Sequence, residues 1–343
     1  MTMRKWICLG LLACLMAAAL PAAADTRTPT PFQIIPYNQI SPMIEGQHHY
    51  LLLCVDQWNI RPRPDDAKTP VSGDGRRKDL YGNTDGMVLV TLDTRAHRIM
   101  LTSFIRDAII QKPDSEPGME KYGRINYVYN DHGPEALCRV ISQHMDVKVE
   151  DYILFDFTQI ANIVDYLGGV DIELTASEIS YLQRYAVPPG SVNNLTTGSD
   201  LRSGSNHRPG MYHFSGHSAV IYMRIRKVGG GGDFMRTQRV RTVLSTLADK
   251  CREITWEDAE ALVNNVMNNN TKTNINLEGM LEAAGYAYGL RDCTIEELRI
   301  PPDGAATPIT FAAMAVQEID WEACRQAMAN YLQNSFLVID DEE

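Results

Sequence analysis

Two groups of charged residues in this sequence have types and spacing that could bind a metal ion or a phosphate. The first group flanks apolar runs of strand length: Asp56 ends one run, Asp85 precedes the next, and Arg106 follows a third. A pair of carboxylates with an open face suits Mg²⁺, above all when a phosphate supplies the remaining oxygen ligands. The same residues could also be solvated strand ends or a structural ion pair, and spacing alone favours that simpler interpretation.

The second group is a concentration of cations inside an acidic chain. Six cations fall within eighteen residues, with a glycine run at 229–232 between them; they are Arg224, Arg226, Lys227, Arg236, Arg239 and Arg241. One guanidinium group can donate two parallel hydrogen bonds to the oxygens of a phosphate. Several arginines beside a glycine turn therefore suit a diphosphate. The alternative is a charged outer face of a helix. The glycines do not form a P-loop, because no Lys-Ser or Lys-Thr pair follows them.

The elements that would position these groups follow from the apolar patterning. Near-continuous apolar runs predict strands buried on both faces, and stripes with a spacing of three and four predict helices between them. The predicted strands are 49–55, 87–92, 99–105, 152–157, 169–174 and 296–300, and the predicted helices are 134–145, 158–167, 234–251, 256–267, 277–289 and 318–333. This alternation predicts an α/β layered sheet. Ligands bind beyond the carboxyl ends of such strands, so whether Asp85 joins the edge of Asp56 and Arg106 depends on strand direction.

Composition excludes several classes of protein. The chain has 343 residues, of which 44% are hydrophobic and 22% charged. These values are ordinary for a globular protein and rule out a disordered polymer and a multi-span membrane protein. The formal net charge of −11 repels nucleic acids on average, so no nucleic-acid partner is expected. Any site for an anionic substrate must therefore be a local basic region.

The amino end predicts export. A positively charged start precedes an apolar stretch at 7–20, and small residues at 22–24 follow, which is typical of a signal peptide. The alternatives are an uncleaved membrane anchor over 1–24 and a lipoprotein processing box at Cys14. All three place the folded part outside the cytoplasmic membrane, either secreted or anchored to its outer face.

The rest of the chain is expected to form one domain, because no repeat and no Pro/Ser-rich linker divides it. Residues 25–45 are predicted to lead into the fold, 46–255 to form its core, and 256–343 to continue the same domain with helices and a strand. Five cysteines follow residue 24, an odd number that gives no complete disulfide framework. Most of them are expected to be small buried hydrophobic residues.

Six segments, in order, resemble the motifs of a known family. They are TDGMVLVTLD from Thr84, TSFIRD from Thr102, GRINYVYNDHGPEAL from Gly123, DYILFDFTQIANIVDYLGGVDIEL from Asp151, SGHSAVIYMRIR from Ser215 and GGDFMRTQRV from Gly231. Between about Tyr50 and Arg252 the chain resembles the LytR-CpsA-Psr family of cell-wall glycopolymer ligases. Any one segment would be a weak signal, whereas six in the family's order are a strong one.

The resemblance implies a fold and an activity. Family members form a three-layer α/β/α sandwich with a central mixed sheet, and the sheet and helices enclose an apolar channel for a lipid tail. They take an anionic glycopolymer, such as teichoic acid or capsular polysaccharide, from a polyprenyl-pyrophosphate carrier in the membrane. They transfer it to the primary hydroxyl of N-acetylmuramic acid in peptidoglycan. The implied cofactor is Mg²⁺, and the implied partners are the lipid-linked glycan and peptidoglycan.

The resemblance also assigns roles to residues at matching positions. Asp56 and Asp85 match acidic positions beside the metal. The arginines assigned to the pyrophosphate are Arg106, Arg224, Arg226, Arg236 and Arg239. Asp85 would accept the proton of the attacking hydroxyl, and Arg106 would neutralise charge that develops on the leaving group.

Two positions depart from the family pattern. Asn83 stands where the family has an arginine two residues before the aspartate, and Val240 stands where it favours a glutamine. Arg76 or Arg77, in the polar loop upstream, could supply the missing cation. The alternative functions are a non-catalytic protein that binds the lipid carrier and a pyrophosphatase that uses water as the acceptor.

Overall fold

The computed structural model describes residues 25–55, 83–113, 121–184, 187–203, 207–225, 228, 233–268 and 271–333. Several predicted features lie outside the described residues; they are the signal peptide or anchor at 1–24, Asp56, Arg76, Arg77, Arg226, Lys227 and the glycine run at 229–232. Among the helices that the structure describes, none is both long enough and apolar enough to cross a membrane.

The described residues form fourteen strands and nine α-helices. The strands are β1 (Asp25–Thr26), β2 (Gln47–Val55), β3 (Thr84–Asp93), β4 (Arg98–Phe104), β5 (Ile109–Gln111), β6 (Tyr122–Arg124), β7 (Asp151–Phe155), β8 (Val170–Leu174), β9 (Val192–Asn194), β10 (Gly210–Phe214), β11 (Lys272–Thr273), β12 (Thr294–Ile300), β13 (Ala306–Phe311) and β14 (Met314–Ile319). The helices are α1 (Ile125–His132), α2 (Pro134–Met145), α3 (Phe157–Tyr166), α4 (Ala176–Arg184), α5 (Gly216–Met223), α6 (Asp233–Cys251), α7 (Trp256–Asn268), α8 (Leu277–Gly289) and α9 (Trp321–Gln333).

Six strands form the central sheet, in the order β11-β7-β2-β3-β4-β12. β3 runs antiparallel to both β2 and β4, whereas β7 is parallel to β2 and β12 is parallel to β4. The sheet is therefore mixed, as the resemblance implies. These directions place the end of β2, the start of β3 and the end of β4 at the same end of the sheet, which is the edge referred to below. Asp85 and Arg106 consequently lie at the same edge of the sheet.

Both faces of this sheet are covered, because its inner strands carry apolar residues on both sides. On one face, called face A below, Met87 and Leu89 of β3 pack with residues of α1, α2 and α9. On the opposite face, called face B, Val88 and Leu101 pack with residues of α3 to α6 and of the small sheet β8-β10-β9. The predicted three-layer α/β/α fold is confirmed.

Two local features fix α3 and α5 against each other. The Asp156 carboxylate accepts a hydrogen bond from the backbone N–H of Gln159 at 2.8 Å, and the Gln159 side chain accepts one from the N–H of Asp156 at 2.9 Å. This capping box begins α3 directly after β7. α5 then approaches α3 so closely that a Cβ on Gly216 would lie 1.9 Å from the carbonyl oxygen of Ala161. Because Arg224 follows α5 directly, this contact also helps to place that side chain.

The predicted leader, 25–45, is part of the folded structure. β1 adds to the β13–β14 hairpin as the third strand of a separate small sheet. The Ser41 hydroxyl donates to the carboxylate of Asp146 at 2.8 Å, just after α2. The hairpin itself was not predicted, and the helix expected at 318–333 begins at Trp321 because β14 continues to Ile319.

Two buried histidines are expected to make the stability depend on pH. Burial lowers the pKa of both His49 and His144 from 6.5 to about 4. Below pH 6.5 the unfolded chain binds protons that the folded chain excludes. The stabilisation is therefore fully present above pH 6.5 and is lost as the pH falls towards 4. We expect each histidine to reduce the free energy of unfolding by about 3 kcal/mol across that window, measured by urea unfolding.

A variant of one histidine tests this expectation. His49 Nδ1 lies 2.8 Å from the Thr91 hydroxyl, so His49→Gln retains a polar partner for that hydroxyl but cannot titrate. The variant should show a shallower pH dependence than the original chain. His132→Gln, at an exposed site at the end of α1, is the control and should leave the profile unchanged. If the free energy of unfolding of His49→Gln depended on pH as steeply as that of the original chain, His49 would not contribute to the pH dependence.

Candidate active site

The start of β3 and the end of β4 bring Asp85 and Arg106 into contact. Arg106 Nη1 lies 2.8 Å from Asp85 Oδ1, and Arg236 Nη1 reaches the same oxygen from α6 at 3.1 Å. The side chains of Asp85 and Arg236 are only 5% and 2% exposed. One buried carboxylate oxygen therefore contacts two guanidinium groups, and charge interactions at such a site are stronger than in bulk solvent.

A second carboxylate extends this arrangement. Asp107 Oδ1 lies 3.3 Å from Arg124 Nη1 and 3.7 Å from Arg106 Nε. Arg124 directly precedes α1, and the N–H of Asn126 donates to the carbonyl of Arg106 at 3.4 Å, which joins the start of α1 to the end of β4. These five residues are called the charged cluster below; they are Asp85, Arg106, Asp107, Arg124 and Arg236.

The sequence analysis assigned no role to Asp107 or Arg124. Both stand inside recognised motifs, TSFIRD and GRINYVYN, and both charges were visible there. The missing information was the contact between the two segments, which are 17 positions apart along the chain. A charged residue directly before an apolar helix, and an acid adjacent to Arg106, were the signals that could have indicated them.

Arg224 lies at the same edge of the sheet. Its guanidinium carbon is 4.6 Å from the centre of the Phe157 ring, and Phe157 packs against Cys54 near the end of β2. The Arg224 side chain is exposed. A guanidinium that contacts an aromatic ring can still donate N–H groups to an anion. Arg224 is therefore placed to bind a phosphate beside the charged cluster.

Arg239 corrects one of the sequence predictions. Its Nε donates to Glu178 Oε1 at 2.9 Å, and its Nη1 and Nη2 donate to the carbonyls of Ile225 and Val228 at 2.9 and 3.1 Å. The side chain is 2% exposed. All three nitrogens are thus engaged by the protein, so Arg239 holds the segment after α5 instead of binding a diphosphate. Arg241 is also structural, because its Nε donates to Glu297 at 3.0 Å.

The buried pair of Arg239 and Glu178 predicts a change in stability that is separate from ligand binding. We expect Glu178→Gln to lower the free energy of unfolding by about 3 kcal/mol, because it leaves a buried guanidinium without its counter-charge. Affinity for inorganic pyrophosphate should stay unchanged in the folded variant. Urea unfolding and titration calorimetry measure the two effects. Glu173→Gln, an exposed carboxylate on β8, is the control. If Glu178→Gln also lost affinity for pyrophosphate, Arg239 would have to be assigned to the pyrophosphate-binding site.

An apolar cavity begins directly behind Arg236. Val240 lies one helical turn after Arg236 on α6 and, with Cys54 and Gly86, lines a cavity of about 180 Å³ on face B. A second cavity of about 290 Å³ lies between face B and helices α6, α7 and α8. The charged cluster therefore stands at the end of an apolar space in the interior.

The two cavities are adjacent, because Leu52 and Leu244 line both of them, and together they are called the channel below. The other aliphatic residues of the second cavity include Leu92, Leu101, Leu262, Val263, Leu290 and Ile295. α7 covers the channel although none of its own residues is fully buried. Adjacent apolar cavities with arginines at one end suit a molecule that has an anionic head and a hydrocarbon tail.

Comparison with known proteins decides the family. The LytR_cpsA_psr family model matches residues 67–330. This chain belongs to the LytR_cpsA_psr family. The family recognised from the six sequence segments is therefore confirmed.

One named relative is similar to this chain in sequence, and two solved structures share its fold. The polyisoprenyl-teichoic acid–peptidoglycan teichoic acid transferase TagU of Bacillus cereus (strain AH820) is 24% identical over 274 residues, which cover 78% of this chain and 80% of TagU. The structure of TagT bound to LIIa-WTA superposes with a TM-score of 0.61 at 18% identity, covering 90% of this chain and 97% of TagT. Bacillus subtilis TagV superposes with a TM-score of 0.58 at 18% identity, covering 85% of this chain and 98% of TagV.

The Mg²⁺ implied by the LytR_cpsA_psr resemblance would need ligands within this cluster. Within the ranges that the structure describes, no group of three or more His, Cys, Asp or Glu residues could hold a metal ion. Mg²⁺ is commonly bound by one or two carboxylates, with water and substrate phosphates completing its shell. Asp85 fits that pattern, and the second predicted ligand, Asp56, lies outside the described residues. The donor set suits a metal completed by a phosphate and not an all-protein site.

Of the two departures from the LytR_cpsA_psr pattern, Val240 has a clear structural consequence. Its side chain is buried and lines the first cavity, so the apolar surface reaches to within one turn of Arg236. Asn83 is half-buried directly before β3. Arg76 and Arg77, which were predicted to supply the cation missing at Asn83, lie outside the described residues.

Proposed function

We propose that this protein is an extracytoplasmic phosphotransferase that moves a glycopolymer from a polyprenyl-pyrophosphate carrier to N-acetylmuramic acid of peptidoglycan. The observation that supports the proposal is that α6 carries an arginine of the charged cluster and, one turn later, a residue that lines the apolar channel. Arg236 contacts Asp85, and Val240, one turn later, lines the apolar channel. A prenyl tail in the channel would place its pyrophosphate among the arginines of the charged cluster.

Membership of the family supports the class of reaction. The relative TagU is named as a transferase that joins teichoic acid to peptidoglycan, and TagT has been solved with LIIa-WTA bound. Teichoic acid and capsular polysaccharide are both suitable glycopolymers for this site, because the arginines would contact only the phosphates. The predicted export signal at 1–24 supports a location outside the cytoplasmic membrane.

The residues of the cluster account for the chemistry of transfer. Arg106, Arg124 and Arg236 would neutralise the charge of the pyrophosphate, with Arg224 beside them. The hydroxyl oxygen of the acceptor attacks the phosphorus that carries the glycopolymer, and the bond from that phosphorus to the bridging oxygen breaks. Polyprenyl phosphate leaves with the electron pair of that bond. Asp85 accepts the hydroxyl proton once the substrate phosphates draw the guanidinium groups away from its carboxylate.

The proposed cofactor adds one function to this scheme. When bound, Mg²⁺ supplies further positive charge at the phosphates, and Asp85 is the described residue that would hold it. The arginines bind and orient the phosphates of the substrate, and the channel binds its prenyl tail.

The experiment combines the purified full chain with a polyprenyl-pyrophosphate-linked glycan, peptidoglycan oligomers and Mg²⁺. Mass spectrometry of the products should show a phosphodiester between the glycan and the muramic acid residue, together with polyprenyl phosphate. Release of glycan phosphate without a peptidoglycan adduct would indicate a pyrophosphatase and refute transfer. Tight binding of the lipid-linked glycan with no product at all would indicate a non-catalytic carrier-binding protein.

A further inference from the structure

The leader and the carboxyl-terminal hairpin are joined by a tight ionic contact. Two guanidinium nitrogens of Arg27 bind the two carboxylate oxygens of Glu318 on β14, with Nη1 to Oε1 at 2.9 Å. The N–H of Thr30 also donates to Glu318 Oε1. Burial alone would raise the pKa of Glu318, but the hydrogen bonds from Arg27 and Thr30 outweigh it and lower that pKa. The carboxylate is therefore held ionised and in place.

The same strand touches the charged cluster from its other side. The N–H of Gln317, next to Glu318, donates to the carbonyl of Asp107 at 2.8 Å. The carbonyl of Ala315 accepts a hydrogen bond from Arg124 Nη2 at 2.6 Å. A parallel bridge between Gln317 and the residue after Asp107 continues this pairing. One six-residue strand thus contacts the leader on one side and two members of the charged cluster on the other.

β14 helps to fix the orientation of the Arg124 guanidinium. Arg124 has one nitrogen on the Ala315 carbonyl and the other 3.3 Å from Asp107 Oδ1. A guanidinium is planar, so two fixed contacts determine its orientation. The Arg124 guanidinium carbon also lies 5.6 Å from the centre of the Tyr127 ring, so β14 is one of three partners that restrict the rotamers of this long side chain. A shift of β14 would therefore turn the Arg124 guanidinium relative to Arg106.

We infer that Arg27 and Glu318 are a positioning pair for the pyrophosphate site, acting through β14 on Arg124 and Asp107. Glu318 binds Arg27 and the N–H of Thr30, and β14 links Glu318 to the charged cluster through Gln317 and Ala315. The inference rests on the proposed function, because it assumes that the cluster binds a pyrophosphate. Its consequence is that the segment directly after residue 24 sets the affinity of a site formed by β3, β4 and α6.

The test uses farnesyl diphosphate in detergent as the probe and titration calorimetry of the full chain. Glu318→Gln should weaken binding about fivefold, since it loosens Arg124 without removing it. Glu296→Gln is the matched control. Glu296 also lies on a strand and accepts a hydrogen bond from a distant arginine, Arg98, at 2.9 Å, but that pair lies at the opposite end of β4 from Arg106. Binding by this control should match the original chain.

A double-mutant cycle separates positioning from general loss of stability. With Arg124→Gln already present, Glu318→Gln should cause almost no further loss of probe affinity, whereas its effect on urea unfolding should persist in both backgrounds. Arg27→Lys, which keeps the charge but loses the paired contact, should give an intermediate affinity and covers the case in which Glu318→Gln does not fold. Equal affinity losses with and without Arg124 would refute the inference. Failure of the original chain to bind the probe would instead refute the proposed function.

Discussion

Replacing Asp85 with Asn is expected to lower the rate of glycopolymer transfer by about 100-fold or more. The substitution removes the group that would accept the hydroxyl proton, and general-base catalysis contributes about that factor or more. Asp85 is also the described carboxylate that would hold a metal beside the phosphates. Steady-state transfer assays with the lipid-linked glycan and peptidoglycan oligomers measure the change.

The same substitution should have the opposite effect on binding of a bare anion. Arg106 and Arg236 both contact Asp85 Oδ1, and an amide attracts them less than a carboxylate does. Without metal, affinity for inorganic pyrophosphate should therefore rise several-fold while transfer is lost. The buried Arg236 also loses its counter-charge, so the variant should be less stable, and pyrophosphate should raise its melting temperature more than that of the original chain.

A control and a contradicting result define this prediction. Asp171→Asn, at a partly exposed carboxylate paired with His213 on the β8-β10-β9 sheet, should leave both transfer and pyrophosphate affinity unchanged. If Asp85→Asn bound pyrophosphate more weakly in the absence of metal, the carboxylate would be helping to hold the anion and not restraining the arginines. If transfer stayed at the original rate, Asp85 would not be the base.

The central fold could be predicted because its sequence signals are strong and local. Strands buried on both faces produce uninterrupted apolar runs, and α2 begins and ends where predicted, at Pro134 and Met145. The β13–β14 hairpin could not be predicted in the same way. Its strands are short and half-exposed, and Pro308 and the charged Glu318 interrupt any apolar run. The hairpin is stabilised when Ile309, Phe311 and Val316 pack against tertiary partners such as Tyr122 and the leader residue Phe32, which the local sequence does not reveal.

The site was predictable in part. The order of apolar runs indicated that Asp85 and Arg106 could meet, but only the antiparallel directions of β2, β3 and β4 established a common edge. Arg236 and Arg239 were equivalent in the sequence because they are one turn apart. Their directions on α6 differ by about 60°, which is enough for one to reach Asp85 and the other to reach Glu178. A helix face alone does not reveal which neighbour each side chain will meet.

Filling the channel where its two cavities adjoin should weaken binding of the lipid but not of the anion. Leu244 lines both cavities, so Leu244→Trp would place an indole ring at their shared wall. Burial is worth about 0.8 kcal/mol per methylene, so excluding three carbons of a prenyl tail costs more than tenfold in affinity. We expect farnesyl diphosphate to bind at least about tenfold more weakly, while inorganic pyrophosphate binds as before. Titration calorimetry with the two probes measures the difference.

The stability of this variant provides an independent check on the same argument. An added ring that enters an existing cavity gains apolar contacts, so Leu244→Trp should be at least as stable as the original chain. Overpacking of a filled core would instead destabilise it by about 1–3 kcal/mol. Ala261→Trp, on the exposed side of α7, is the control and should change neither probe's affinity. A stable Leu244→Trp protein that still bound farnesyl diphosphate normally would show that the tail lies outside this channel, and the charged cluster alone would then account for binding.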